Sequence, residues 1–187
     1  IAFETHDVTI TIPLGPKVVE TEKSIAAPWR IDVPADPRIA ETLEAQLRYI
    51  LINRDGPSIQ PGSRSYERSW IRDGSLTSTA LLRLGRRAEV KEFLEFYAKA
   101  VSPEGYVPCC VSTKGAPDPV PEHDSHGQFI YLVAEYYRHT RDRATAESMW
   151  PIVQRVVGYI DKLRHERMTS PYRGTPFYGM VPESISH

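Results

Sequence analysis

Helical periodicity from residue 37 onward is the feature that most constrains the fold. Apolar residues recur every three or four positions in five stretches, residues 37–53, 73–84, 86–101, 124–139 and 143–164. That spacing gives a helix one apolar face. The fourth stretch is apolar on most sides and is therefore expected to be a buried helix. The pattern predicts a mainly α fold.

Short and long links between these stretches alternate. The second and third helices are separated only by residues 85–86, and the fourth and fifth only by residues 140–142. Short links of this kind make antiparallel helical hairpins. The longer links, residues 53–62 and 102–122, should then lie together at one end of the hairpins. We expect a functional site at that end, because long loops often carry function.

The first 36 residues have a different pattern. Val8, Ile10 and Ile12 alternate with polar residues, which is the period of a half-buried strand, and residues 17–24 could form a second strand. Several prolines follow and interrupt regular structure. The sequence therefore predicts a β-strand and linker segment over residues 1–36 and a helical domain over residues 37–187.

Composition excludes several classes of function. Lys and Arg total 23 against 24 Asp and Glu, and this balance argues against a nucleic-acid binder. No apolar run approaches the ~18 residues of a membrane-spanning helix. The two cysteines, Cys109 and Cys110, are adjacent and predict neither a disulfide framework nor a Cys-rich metal site. Phosphate-binding glycine loops and serine-hydrolase elbows are absent from the sequence.

Trp70, Arg72 and Asp73 form the first cluster of candidate site residues, at the beginning of the second predicted helix. An indole face can stack on a pyranose ring while the charged pair binds neighbouring hydroxyl groups. The structural alternative is that Asp73 is a helix N-cap and Trp70 a core aromatic residue.

His123, Asp124 and Gln128 form the second cluster, where the long loop enters the fourth helix. Together with Glu122 and His126 they also raise the possibility of a metal site. Helix-borne zinc sites need a further ligand at a recognisable spacing, so we expect no metal. A binding site for a hydroxyl-rich substrate explains this polar group better, although Asp124 could also simply cap its helix.

Tyr178 and Glu183 form the third cluster, after the fifth helix. Glu183 has apolar neighbours at Val181, Pro182 and Ile185. Partial burial among them would raise its pKa towards the value that a general acid needs. An exposed loop glutamate, near the N-terminus of a further helix, is the alternative.

The order of these segments is similar to that of a known family. Residues 69–85 resemble the Trp-x-Arg-Asp segment of the six-hairpin glycosidases, which are glucoamylase-like enzymes with an α/α toroid. Residues 124–142, followed by 150–163, resemble the next hairpin of that superfamily. The resemblance covers residues 37–187 and rests on the order of the motifs more than on any single one.

The resemblance implies a partial α/α toroid, its N-terminal portion, in which residues 1–36 are either the exit of a preceding β-sandwich or the linker after it. It implies that Trp70, Arg72 and Asp73 bind the sugar nearest the cleavage point and that Glu183 is the general acid. The general base of such enzymes lies far downstream and has no counterpart here. We therefore expect the chain to be an incomplete fragment of a catalytic domain.

The expected function is hydrolysis of an oligo- or polysaccharide by two carboxylates, without a cofactor. A non-catalytic carbohydrate-binding or scaffold domain is the alternative, as is a toroid enzyme of another class, such as a polysaccharide lyase or a sugar epimerase. The expected partner is a carbohydrate, with neither nucleic acid nor membrane. A toroid with an open flank would also self-associate or need a further chain to complete it.

Overall fold

A computed structural model describes residue 31 and residues 33–185. Five helices and two short strands follow in the order α1 Arg38–Ile52, β1 Arg68–Trp70, α2 Ile71–Arg83, α3 Arg87–Ala98, β2 Cys110–Ser112, α4 Asp124–Thr140 and α5 Arg143–Glu166. Single 3-10 turns cover Arg64–Tyr66 and Ser170–Tyr172. The mainly α class is confirmed, whereas the strands predicted near the N-terminus lie outside the described residues.

Helices α2 to α5 form two successive hairpins with tight turns. Gly85 has φ +79° between α2 and α3, a conformation that glycine adopts without strain. Between α4 and α5, Arg141 adopts the left-handed conformation that ends a helix, and the Asp142 side chain accepts a hydrogen bond from Thr145 N to cap α5. Helix α5 continues through Pro151 without interruption.

The two hairpins lie side by side with their first helices parallel. Three side-chain contacts join α2 to α4 in succession: Arg72 to Asp124 at 2.9 Å, Ser75 to Gln128 at 2.7 Å and Thr79 to Tyr131 at 3.1 Å. All three pairs have nearly the same sequence separation, so the helices run in the same direction. Their N-termini therefore lie at the same end, as expected for part of a helical toroid.

The core lies between α2, α3 and α4. The predicted apolar stripe of α3 is buried throughout, at Val90, Phe93, Leu94, Tyr97 and Val101. A Cβ built at Gly74 would lie 2.3 Å from the Phe93 ring, so α2 and α3 approach closely because residue 74 lacks a side chain.

The apolar faces of the outer elements are only partly covered. In α4, Leu132 is buried but Tyr137 is 37% exposed, so the prediction that this helix is buried on most sides is wrong at its C-terminal end. In α5, Val156 is buried while Trp150 and Val157 are more than half exposed. In α1 only Leu47 is fully buried. Self-association through such faces stays a prediction.

The sequence pattern did not predict strands β1 and β2. They pair antiparallel with Trp70 opposite Cys110, and Ile71 N donates to Cys109 O at 3.0 Å. The chain therefore passes directly from strand into helix, and α2 begins two residues before Asp73. Asp73 lies in the first turn of α2, and the alternative that it is the N-cap is wrong.

Candidate functional site

A cavity of about 480 Å³ opens beside the N-terminus of α2. Its lining residues are Pro61, Ser65, Tyr66, Trp70, Arg72 and Asp73. The Tyr66 and Trp70 rings lie 5.8 Å apart at an angle of 54°. The first cluster thus lines one cavity, in which aromatic faces stand next to a charged pair. Such a surface suits a ligand with both apolar faces and hydroxyl groups.

Arg72 connects this cavity to the loop before α4. Its Nη1 lies 2.9 Å from Asp124 Oδ2, and its Nη2 lies 3.2 Å from Glu122 Oε2. Burial opposes the charge of Arg72, but the hydrogen bond that Arg72 donates to Asp124 and the attraction of both carboxylates outweigh it and raise the pKa of the guanidinium. Arg72 is therefore a permanent cation held in a fixed orientation by two partners.

Gln128 joins the second cluster to α2 one turn further along. Its Oε1 accepts a hydrogen bond from Ser75 Oγ at 2.7 Å, and its side-chain amide nitrogen makes no hydrogen bond to another described residue. The structure therefore brings Asp124 and Gln128 together with Arg72. That these residues bind substrate stays a prediction.

The two histidines occupy different environments. His126 is fully buried, its Nδ1 lies 3.0 Å from His123 O, and its ring stacks on Tyr159 with centroids 5.0 Å apart. Burial lowers the pKa of both histidines, which favours the neutral rings. His123 is half-buried, and a site role is open to it. No three His, Cys, Asp or Glu side chains in the described part of the chain are grouped to hold a metal ion.

Glu183 does not lie in the apolar environment predicted for it. Its side chain is 89% exposed, and one carboxylate oxygen lies 2.6 Å from Arg167 Nη2. The hydrogen bond from Arg167 lowers the pKa of Glu183, so the prediction of partial burial and a raised pKa is wrong. Tyr178 is exposed as well and, within residues 33–185, makes no side-chain hydrogen bond or ring contact.

Backbone contacts nevertheless place the segment of Glu183 beside the second cluster. Ile185 N donates to Pro121 O at 3.2 Å, and His123 N donates to Ser184 Oγ at 3.2 Å. The chain after α5 thus returns to the loop that carries Glu122, at the end of the hairpins where Arg72 lies.

The structure adds two residues that the sequence did not assign to the site. Tyr66 lines the cavity beside Trp70. Glu122, which is only 2% exposed, forms an ion pair with Arg72. Glu122 lies next to the second cluster in the sequence but is not among the predicted site residues. No sequence signal indicates that Glu122 is buried, because a glutamate between a proline and a histidine is equally typical of an exposed surface loop.

Comparison with protein families supports this description of the fold. The model for "Glycosyl hydrolases family 15" matches residues 51–161, which include helices α2 to α4, most of α5, the cavity residues around Trp70 and the loop around Glu122. The match covers more than half of the 187 residues. The fold is thus that of the helical-toroid glycosidases.

The chain belongs to glycosyl hydrolases family 15. Glu183 lies beyond the matched residues. Comparison with curated proteins and with solved structures found no match. None of the helices in the described part of the chain is both long and apolar enough to cross a membrane.

Proposed function

We propose that the protein hydrolyses glycosidic bonds in an oligo- or polysaccharide through two carboxylates, one acting as general acid and one as general base. The observation that carries the proposal is the cavity in which Trp70, Arg72 and Asp73 stand together, in a chain of a glycosidase family. Family membership favours hydrolysis over lyase or epimerase chemistry on the same fold.

The proposed binding roles follow from the chemistry of each side chain. The Trp70 ring stacks on the apolar face of one pyranose unit, and Tyr66 stands at its edge. Asp73 accepts and Arg72 donates hydrogen bonds to neighbouring sugar hydroxyls. Asp124 and Gln128 add further polar groups beside Arg72 and Asp73. His123 and Tyr178 complete the proposed site.

Glu183 is the proposed general acid. A general acid must carry a proton, whereas the ion pair with Arg167 keeps Glu183 ionised. The proposal therefore requires that substrate separates the two side chains and desolvates the carboxyl group, which would raise its pKa. The contacts of residues 184 and 185 with the loop before α4 support this position, because they hold the segment near Arg72.

A second carboxylate across the cleft would act as base on a water molecule. Inverting enzymes separate the two carboxyl groups by about 6.5–9.5 Å to leave room for that water. We therefore expect inversion at the anomeric carbon.

Product analysis on the intact protein tests the proposal. Incubation with glycosyl fluorides and linear oligosaccharides of glucose, mannose and galactose, followed by proton NMR, should show a reducing sugar of inverted configuration. Binding without turnover would indicate the non-catalytic alternative. An unsaturated product would indicate a lyase, and an epimerised sugar an epimerase.

A further inference from the structure

Two adjacent thiols, Cys109 and Cys110, have no role in the site described above. They are the only cysteines in the sequence, and both are free. The Cys109 Sγ lies 3.8 Å from the Cys110 Sγ. A direct disulfide needs about 2.05 Å between its sulfur atoms. The observed separation therefore suits a bridge through one inserted atom better than a direct bond.

A second cavity, of about 240 Å³, provides a route to the pair. It is lined by Arg68, Cys110, Ser112, Ala116, Pro117, Asp118 and Pro119. Cys110 is only 2% exposed and Cys109 only 1% exposed, so a thiol or disulfide carried on another protein cannot reach them in the folded chain. The ligand must be a small molecule that enters this cavity.

Burial keeps both sulfur atoms protonated. It raises the pKa of Cys109 to about 12, and it raises the pKa of Cys110 although the hydrogen bond that Arg68 donates acts in the opposite direction. Attack on a peroxide or a disulfide requires a thiolate, so both reactions are slow here. A suitable ligand reacts with neutral thiols and leaves no charge among the buried atoms.

Zinc, a common ligand of protein thiols, meets neither requirement. It binds thiolates and takes four ligands, and in the part of the chain that the structure describes no three His, Cys, Asp or Glu side chains are grouped to hold a metal ion. Trivalent arsenic differs on both counts. Arsenous acid condenses with two neutral thiols, and the product is uncharged and pyramidal, with two sulfur substituents and one hydroxyl group on arsenic.

We propose that Cys109 and Cys110 form a dithiol site for trivalent arsenic, which enters the second cavity as arsenous acid. Two arsenic–sulfur bonds form, and two arsenic–oxygen bonds break. Each departing hydroxyl group takes the proton of one thiol and leaves as water. Arsenic stays trivalent throughout, so the reaction needs neither an oxidant nor a reductant. The inference stands independently of the proposed function.

Arg68 provides a partner for the hydroxyl group that stays on arsenic. Its Nη1 lies 3.9 Å from Cys110 Sγ and 2.9 Å from Asp118 Oδ2, while its Nε and Nη2 make no hydrogen bond to another described residue. The guanidinium thus stands beside the sulfur atom with donors to spare, and it donates to the arsenic-bound oxygen. Arg68 thereby orients the adduct towards the cavity.

Occupation of the site should be detectable at Trp70. Cys110 stands opposite Trp70 in the pairing of β2 with β1. The carbonyl oxygen of Cys109 accepts hydrogen bonds from Ile71 N at 3.0 Å and from Tyr97 Oη at 3.1 Å. Drawing both sulfur atoms onto one arsenic atom changes the side-chain torsion angles of the two cysteines beside these bonds. Tryptophan fluorescence should therefore report binding.

Titration of the intact, native protein with sodium arsenite tests the site. Native mass spectrometry should show one arsenic atom per chain, with a parallel change in tryptophan fluorescence that Trp70→Phe abolishes. Dithiothreitol, a small dithiol, should remove the arsenic, whereas the same concentration of thiol groups as β-mercaptoethanol should not. Cys109→Ser and Cys110→Ser should each weaken binding at least about hundredfold, because one sulfur atom alone cannot chelate.

A further variant tests the position of the adduct. Arg68→Leu removes the proposed donor, and Arg143→Leu is its matched control, because Arg143 makes an exposed ion pair with Glu147 on α5. We expect Kd for arsenite to rise about tenfold in the first variant and to change less than about twofold in the second. Thermal unfolding verifies that each variant is folded. If the cysteine variants do not fold, removal by dithiothreitol from the wild type retains the test.

Three results would overturn the dithiol site. They are the absence of an arsenic adduct on the native wild type, an adduct that forms only in urea, and undiminished binding in either folded cysteine variant. The second would show that the cavity does not admit arsenous acid, and the third that arsenic binds elsewhere. An unchanged Kd in Arg68→Leu would overturn the role of Arg68. None of these measurements uses glycoside turnover, so their failure is distinct from failure of the proposed function.

Discussion

Arg72 is held against Glu122 at 3.2 Å, and that glutamate is 2% exposed. A carboxylate so deeply buried is stable as an anion only beside a permanent cation, and Arg72 supplies one. The contact joins the first turn of α2 to the loop before α4. The two residues are fifty positions apart in the sequence, so their ion pair is a tertiary contact. Because Arg72 lines the cavity, this contact also affects the geometry of the cavity.

Replacing Glu122 should therefore affect both stability and the site. Glu122→Gln leaves Asp124 as the one remaining ion-pair partner of the Arg72 guanidinium among the described residues, and we expect the free energy of unfolding to fall by about 1–3 kcal/mol. Urea denaturation measures the loss. Glu147→Gln removes half of an exposed ion pair and should leave stability nearly unchanged. Equal stability of the two variants would contradict the proposed importance of the buried pair.

The arginine itself should matter for turnover. Arg72→Ala removes donors to sugar hydroxyls, and we expect kcat/KM on glycosides to fall by at least about tenfold. Arg72→Lys keeps the charge but cannot reach both carboxylates with a planar fork, so it should recover little. Steady-state kinetics with a parallel Arg143→Lys control tests this. Unchanged kinetics in a folded Arg72→Ala variant would remove Arg72 from the site.

The role of Glu183 can be tested through the leaving group. If it protonates the departing oxygen, Glu183→Gln should abolish most turnover of oligosaccharides and spare glycosyl fluorides, whose leaving group needs less protonation. Arg167→Met should raise the pKa of Glu183, because the ion pair that lowers it is lost. The alkaline limb of the pH–rate profile reports that shift, because a general acid becomes inactive as it loses its proton. Equal losses on both substrate types would argue against general-acid work.

Gly74 should tolerate no side chain. Gly74→Ala places a Cβ 2.3 Å from the fully buried Phe93 ring, and the cost of overpacking exceeds the gain in helix propensity, for a net loss of about 1–2 kcal/mol. Gly127→Ala in α4 meets no atom within 4 Å and should stabilise the protein slightly. Thermal unfolding compares the two. The clash is supported if Gly74→Ala costs less when Phe93→Leu is also present.

The cap of α5 should make stability depend on acid pH. Hydrogen bonds from Thr145, assisted by Tyr136 and Lys91, hold the pKa of Asp142 well below its ordinary value. Because the folded pKa is depressed, the stabilisation is complete above the unfolded value of about 3.9 and is lost as pH falls through the lower folded value. Asp142→Asn should lower Tm at neutral pH, and the difference from wild type should shrink in strong acid. A difference independent of pH would contradict this.

Much of the helical architecture could be predicted from the chain alone. The apolar stripe of α3 is buried at every predicted position, because its three-and-four spacing matches the helical period. Gly85 and the segment around Asp142 marked the tight turns through local backbone and capping chemistry. Such features depend on residues close in sequence, so they could be predicted without knowledge of the tertiary structure.

Pairing between distant residues was decided only by the tertiary structure. The start of α2 depends on the bond from Ile71 to Cys109, and the burial of Glu122 depends on Arg72 reaching it across two hairpins. The exposed position of Glu183 depends likewise on its ion pair with Arg167. In each case the local sequence permits several environments, and the one adopted is fixed by long-range packing, hydrogen bonding and charge, which leave no periodic signal along the chain.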